Sequence, residues 1–197
     1  RTEQCIDALY SLQTQWTSLL FWGASGLLSM KLQVDGTEAL QDGPVTLLFR
    51  HSSLVDTLLP GVCVAKDTPL RLRYILKKEL LWDPCLDLVG NYLPNYFVDR
   101  TGDATRESQN ITHLSSSLGM HDAVLIYPEG TRFSERKRQR LIDRWTEQSD
   151  PRVEMATRFT HVLPPKTKGF WAIRQGSPSA DVVFCAHAGL ERVTNIQ

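Results

Sequence analysis

Short apolar runs separated by longer segments of helical periodicity limit this chain to few architectures. From residue 45 onward, runs at 45–50, 72–76, 95–99, 123–127, 161–163 and 181–187 read as strands. Brief apolar runs bounded by turn residues suit strands buried on both faces. Helices are predicted between them, near 54–65, 78–89, 104–118, 135–148, 151–159 and 168–175. The third carries Ile111, Leu114 and Leu118 on one face, with Gly119 as its stop, and the fifth opens on Asp150-Pro151, an N-cap followed by proline. Strand and helix in alternation predict an α/β fold with a largely parallel central sheet flanked by helices. A chain of 197 residues, 42% apolar and 22% charged, is large enough to bury one such core.

The first 35 residues read as a separate unit, an N-terminal apolar helix that contacts a membrane, ahead of an α/β domain over 36–197. Ala8 to Met30 holds no charge, and Leu9, Leu12, Trp16, Leu19 and Leu20 recur at helical spacing. The same segment admits packing on the domain or lying in a membrane interface, where tryptophan is favoured. Its apolar core is shorter than the roughly 20 residues of a spanning helix, and Gln13, Thr14, Gln15 and Thr17 interrupt it.

Two segments carry chemistry, His51-Ser-Ser-Leu-Val-Asp56 and Tyr127-Pro-Glu-Gly-Thr-Arg132, each directly after a predicted strand. Parallel strands would bring both to one edge of the sheet. On a single helix His51 and Asp56 would lie about 140° apart. With His51 in the turn after the strand, Ser52 or Ser53 capping, and Asp56 in the first helical turn, the two side chains meet. An imidazole with its ordinary pKa near 6.5 is largely neutral at pH 7 and accepts a proton, and a carboxylate holds the tautomer that leaves the other nitrogen free. In Glu129-Gly130-Thr131-Arg132, glycine lets a ligand approach the backbone, threonine offers a hydroxyl and an N–H, and arginine matches phosphate oxygens in pairs. Glu129 either positions Arg132 or hydrogen-bonds an acceptor hydroxyl. A base beside an anion site suits acyl transfer to a phosphate-bearing acceptor. Each segment alone is also compatible with a structural histidine on a capping aspartate, or with a turn bearing an exposed ion pair.

Other chemistries are excluded by inspection. There is no G-x-S-x-G, G-x-x-x-x-G-K-[ST], G-x-G-x-x-G or H-E-x-x-H motif. Lys plus Arg and Asp plus Glu both total 22, so bulk charge gives no argument for nucleic acid and any anion site is local. Cys5, Cys63, Cys85 and Cys185 are scattered, matching neither a zinc site nor a disulfide framework, and read as small buried hydrophobes. His113, His121, His161 and His187 lack partners at metal-ligand spacing and read as core, surface or turn residues. Arg136, Lys137, Arg138 and Arg140 make one stretch basic, ordinarily a solvated helix face, alternatively an attraction to anionic lipid or to a donor's phosphates.

Taken in order, these blocks resemble the glycerolipid acyltransferases, most closely those acting on 1-acylglycerol-3-phosphate (lysophosphatidic acid). His51-x-x-x-x-Asp56 and Pro128-Glu-Gly-Thr-Arg132 are joined by Gly90 to Phe97-Val-Asp-Arg100, by Leu163-Pro-Pro-Lys-Thr-Lys-Gly-Phe170 and by Lys77-Lys78-Glu79-Leu80. The resemblance implies that His51 is the general base on a lysophospholipid hydroxyl, that Asp56 orients it, and that Arg100, Glu129, Gly130, Thr131 and Arg132 bind the acceptor. It implies an acyl-CoA or acyl carrier protein donor, no metal or bound cofactor, and a membrane-associated enzyme with its site on the cytoplasmic side. The block around Pro164 is tied more loosely to the donor. Arg50 stands where the family often has asparagine, and the fourth block resembles the longer variants of lysophosphatidylinositol and lysocardiolipin acyltransferases, leaving the head group open. A non-catalytic binder of anionic lipid and a thioesterase using the same base are the other readings.

Overall fold

A computed structural model describes residues 3–82 and 84–193 of the chain. Its strands are β1 (Val45–Phe49), β2 (Arg71–Lys77), β3 (Tyr96–Val98), β4 (Asp122–Ile126) and β5 (Asp181–Cys185). They form one parallel sheet in the order β3-β2-β4-β1-β5. The helices are α1 (Glu3–Leu28), α2 (Pro84–Tyr92), α3 (Ala104–Ser116), α4 (Glu135–Glu147), α5 (Arg152–Arg158) and α6 (Thr167–Gly176). The expected α/β class is thus the observed one.

Strand order locates the site. β1 and β4 are neighbours, with Val45 opposite Ala123 and Leu48 opposite Ile126. The chain leaving β1 crosses past β4 to reach β2, whereas the chain leaving β4 crosses past β1 to reach β5. Neighbouring parallel strands whose connections depart in opposite directions leave a crevice at their carboxyl ends. Central position also explains the composition of β1, whose five residues are all buried.

Two apolar clusters cover the sheet. One gathers Phe21, Leu47, Phe49, Val62, Leu72 and Leu125, and the other joins Ile75, Ile111, Val124, Ala172 and Ile173 under α3 and α6. α3 ends at Ser116, three residues before Gly119, which does not adopt a positive φ. Arg73 from β2 caps that end instead, donating to the carbonyls of Leu114 (3.1 Å) and Ser117 (2.8 Å) while pairing with Asp122 at 2.7 Å. α5 begins one residue later than expected, at Arg152 with Pro151 as its N-cap, although Asp150 still accepts from the Arg152 N–H at 2.9 Å.

Three expectations need correction. Residues 161–163 are not a strand: the Leu163 N–H donates to the Glu129 carboxylate (2.7 Å) and the Lys166 N–H to the Pro128 carbonyl (2.8 Å), so the segment lies across the strand ends. Pro164 and Pro165 have no N–H with which to continue a ladder. The helix expected over 54–65 is a 3₁₀ turn, Val55–Leu58, followed by a π turn, Pro60–Ala65. Pro60 cannot donate to the Asp56 carbonyl four residues back, so the α ladder breaks there. The helix expected over 78–89 likewise divides into a 3₁₀ turn, Lys78–Trp82, and α2, which opens on Pro84.

α1 has the expected helical spacing but buries a different stripe. Tyr10, Thr17, Phe21 and Ser25 face the domain, whereas Leu12, Leu19 and Leu20 are exposed. The reason is close approach: Thr17 sits over Gly61 of the π turn, where an added Cβ would lie 2.1 Å from Thr17 Oγ1. Among the described residues no helix is long and apolar enough to cross a membrane.

This packing gives a contrast between two glycines. Gly61→Ala should destabilise the fold by about 1–3 kcal/mol through overpacking against α1. Gly23→Ala, in α1 with nothing within 4 Å of the added Cβ, should be neutral or stabilising by up to about 1 kcal/mol. Urea unfolding of both variants measures the difference.

Candidate active site

The turn leaving β1 is organised by Asp56, whose side chain is fully buried. Asp56 Oδ2 accepts from the N–H groups of Ser52 (2.5 Å) and Ser53 (2.6 Å), and Ser53 Oγ accepts in return from the Asp56 N–H (3.1 Å). Asp56 Oδ1 lies 2.9 Å from His51 Nδ1. The predicted meeting of the two side chains is therefore observed, with the capping group being Asp56 as well as Ser53.

Burial by itself would raise the Asp56 carboxyl. Hydrogen bonds from His187, His51 and the Ser53 and Ser52 N–H groups outweigh it and hold the group well below the carboxylate range. Asp56 is thus ionised, Nδ1 of His51 carries the proton, and Nε2 is the basic nitrogen. The His51 ring is partly exposed and packs 4.6 Å, centroid to centroid, from the ring of Tyr127.

The turn leaving β4 is bonded directly to the first. The His51 N–H donates to Glu129 Oε1 at 2.8 Å, and the Phe133 N–H donates to the His51 carbonyl at 2.8 Å. Glu129 is only 4% exposed, and its Oε2 accepts from the Leu163 N–H. Both of its oxygens are thus engaged by main chain, joining three loops rather than orienting Arg132. Burial raises its pKa, and the Leu163 and His51 N–H groups and nearby His51 and Arg50 only partly oppose that.

Gly130 adopts a φ of 68°, a conformation that favours glycine, and lets the Lys166 side chain lie against its backbone. Arg100 donates to the Gly130 carbonyl, which brings the predicted acceptor-binding arginine onto the predicted acceptor-binding turn. Lys137 Nζ bonds Thr131 Oγ1 (2.9 Å) and the Arg132 carbonyl (2.8 Å). Arg132 is exposed, and among the described residues its guanidinium has no hydrogen-bond or ion-pair partner.

A cleft of about 530 Å³ opens here, lined by Arg50, Ser52, Arg132, Lys137, His161 and Glu191 among others. Burial lowers the Lys137 pKa, with Arg132 and Lys77 adding to the effect and Glu129 opposing it. At the Gly130 turn, burial likewise lowers that of Lys166, with Arg100 and Arg144 adding. Cations gathered in this way favour an anion. Among the described residues no group of three or more His, Cys, Asp or Glu side chains is arranged to hold a metal ion.

Three residues of the site escaped the sequence reading. Lys137 belonged to a basic stretch read as a solvated face or an attraction to anionic lipid or a donor's phosphates, yet it braces the Thr131–Arg132 turn. Its neighbour Arg138 is also structural, bonding the carbonyls of Ala156, Thr157 and Phe159 on α5. Lys166 sat within the fourth block without a role of its own. His187, read as a core, surface or turn residue, has Nε2 3.5 Å from Asp56 Oδ2. Its signal was position, at the end of the predicted strand 181–187 and hence at the same sheet edge.

A protein-family model described as Acyltransferase matches residues 31–182, about three quarters of the chain, and the chain belongs to that family. The match spans the His51–Asp56 and Tyr127–Arg132 turns, the Arg100 block and the Leu163–Phe170 block. No curated protein and no solved structure matches the chain.

The depressed Asp56 pKa fixes the sign of a pH effect. Its ionisation stabilises the fold fully above the ordinary value of 3.8, and that contribution is lost as pH falls below it toward the folded-state value. Asp56→Asn should therefore be less stable than wild type at pH 7, and the gap should narrow as urea titrations are repeated from pH 5 downward. Glu129→Gln, which sets an amide donor against a backbone N–H, should cost about 1–3 kcal/mol in the same measurement.

Proposed function

We propose that the protein transfers a fatty acyl group from a thioester, acyl-CoA or acyl carrier protein, to the free hydroxyl of a lysophospholipid, most closely lysophosphatidic acid. The observation that carries this reading is the 2.9 Å contact of His51 Nδ1 with a fully buried, ionised Asp56 beside a cleft to which Arg132 and Lys137 contribute. The contact leaves Nε2 of His51 as the base.

The hydroxyl gives its proton to His51 Nε2 as its oxygen attacks the thioester carbonyl. The C–S bond then breaks, and the imidazolium returns the proton to the departing thiolate. Asp56 stabilises the imidazolium throughout, and no acyl-enzyme is needed. The unpaired Arg132 guanidinium, with Arg100 and Thr131, takes the acceptor phosphate, while Gly130 shapes the turn, its N–H being held by the Tyr127 carbonyl and its own carbonyl by Arg100. Glu129 serves this site by position, since its oxygens hold the main chain of His51 and Leu163. Exposed Leu19, Trp22 and Leu27 on α1 supply an apolar face for a membrane surface, where the lipid acceptor resides.

A thioesterase would use the same base with water as acceptor. The cations gathered around Gly130 would suit the phosphates of a CoA donor in either case, and it is membership of the acyltransferase family that favours transfer to an acceptor hydroxyl.

Labelled acyl-CoA supplied with a panel of lysophospholipids tests the proposal. His51→Ala should lower transfer roughly 10²–10⁴-fold, and undiminished transfer would remove the mechanism. Acyl release without transfer would point to the thioesterase. Arg132→Ala should raise KM for lysophosphatidic acid by the equivalent of about 1.5–3 kcal/mol.

A further inference from the structure

β5 delivers a second imidazole to Asp56. His187 lies two residues beyond that strand, with its side chain 11% exposed. Its Nε2 is 3.2 Å from the carbonyl oxygen of Arg50 and 3.5 Å from Asp56 Oδ2. A carbonyl only accepts, so Nε2 carries the proton and points it between the Arg50 carbonyl and the carboxylate. Among the described residues Nδ1 is buried without a partner. The ring is thus held by Nε2, with its N–H on the Arg50 carbonyl and the Asp56 carboxylate alongside.

The contact is reciprocal. The Arg50 guanidinium donates to the His187 carbonyl, pairs with Glu191, and reaches the His161 carbonyl at 2.9 Å. The Arg50 N–H donates to the Cys185 carbonyl at 3.0 Å, continuing the pairing of β1 with β5. Side chain of 187 to main chain of 50, and side chain of 50 to main chain of 187, form a closed clasp immediately before His51.

We propose that His187 is a positioning residue: through the Arg50 main chain and Asp56 it fixes the carboxylate rotamer that holds the His51 tautomer, with Arg50 as its holder. The assignment rests on the reading of His51 as the base. Asp56 Oδ1 has His51 as its side-chain partner, whereas Oδ2 takes two N–H groups and faces His187. Pinning Oδ2 denies the carboxylate the rotation that would break the His51 contact. Arg50 is long for a physical reason, since its guanidinium spans from the end of β1 to the segment beyond β5.

The test follows the His51 Nδ1–H proton by NMR in histidine-labelled protein, alongside kcat and KM for acyl transfer. In His187→Ala that proton should exchange with water at least about tenfold faster, and kcat should fall roughly ten- to hundredfold with KM for donor and acceptor unchanged. His187→Gln, which restores an N–H donor, should recover most of both. His187→Phe, which keeps ring bulk without a donor, should behave like His187→Ala and replaces it if the alanine variant does not fold. Unchanged Nδ1–H exchange in the donor-free variants, or equal loss in His187→Gln, overturns the proposal. The NMR readout needs no substrate: a wild type that transfers no acyl group, yet shows the donor-dependent exchange, would sink the proposed function and keep the positioning role.

Discussion

A buried carboxylate governs the carboxyl edge of this sheet. Asp56 is removed from water, and an ion in that position is tolerated only when its oxygens are hydrogen-bonded. The donors that meet this demand come from two parts of the chain: the Ser52–Ser53 turn with His51, and the exit of β5 with His187. Satisfying the charge therefore fixes the shape of the turn after β1 and the place of β5's continuation. It also sets the orientation of the imidazole, so the stability of the edge and the chemistry of His51 have one origin.

A second buried carboxylate, Glu129, does different work because its surroundings differ. It accepts from two main-chain N–H groups, and burial dominates its pKa. It ties the exits of β1 and β4 and the 161–166 segment into one unit, behind the surface on which the cations gather. Asp56 lies against His51 and Glu129 behind the Gly130 turn. The opposed connections of β1 and β4 are what bring the two turns within hydrogen-bonding reach of each other.

The central strands were legible because burial on both faces demands continuous apolar runs, and Val45–Phe49 and Ala123–Leu125 meet that demand plainly. The misread elements share a cause, main-chain bonding that local periodicity does not encode. His161–Leu163 has the apolar content of a short strand, but its N–H is taken by Glu129, which lies 34 residues earlier. Over 54–65 the apolar pattern is helical, and the missing N–H of Pro60 redistributes it into 3₁₀ and π turns. In α1 the spacing was correct and the face was not, because the face is chosen by Gly61, a residue of another element.

By itself the sequence determined the strand-helix alternation, the placement of His51, Asp56 and Arg132 directly after strands, and the order of the blocks that mark the family. These are properties of residue type and spacing, which a linear chain carries intact. Only the tertiary structure decided that Glu129 joins loops, that Lys137 and Lys166 flank the Gly130 turn, and that His187 and Arg50 close around Asp56. Each of those depends on which strand ends lie side by side, and adjacency across a crossover is set by sheet order rather than by distance along the chain.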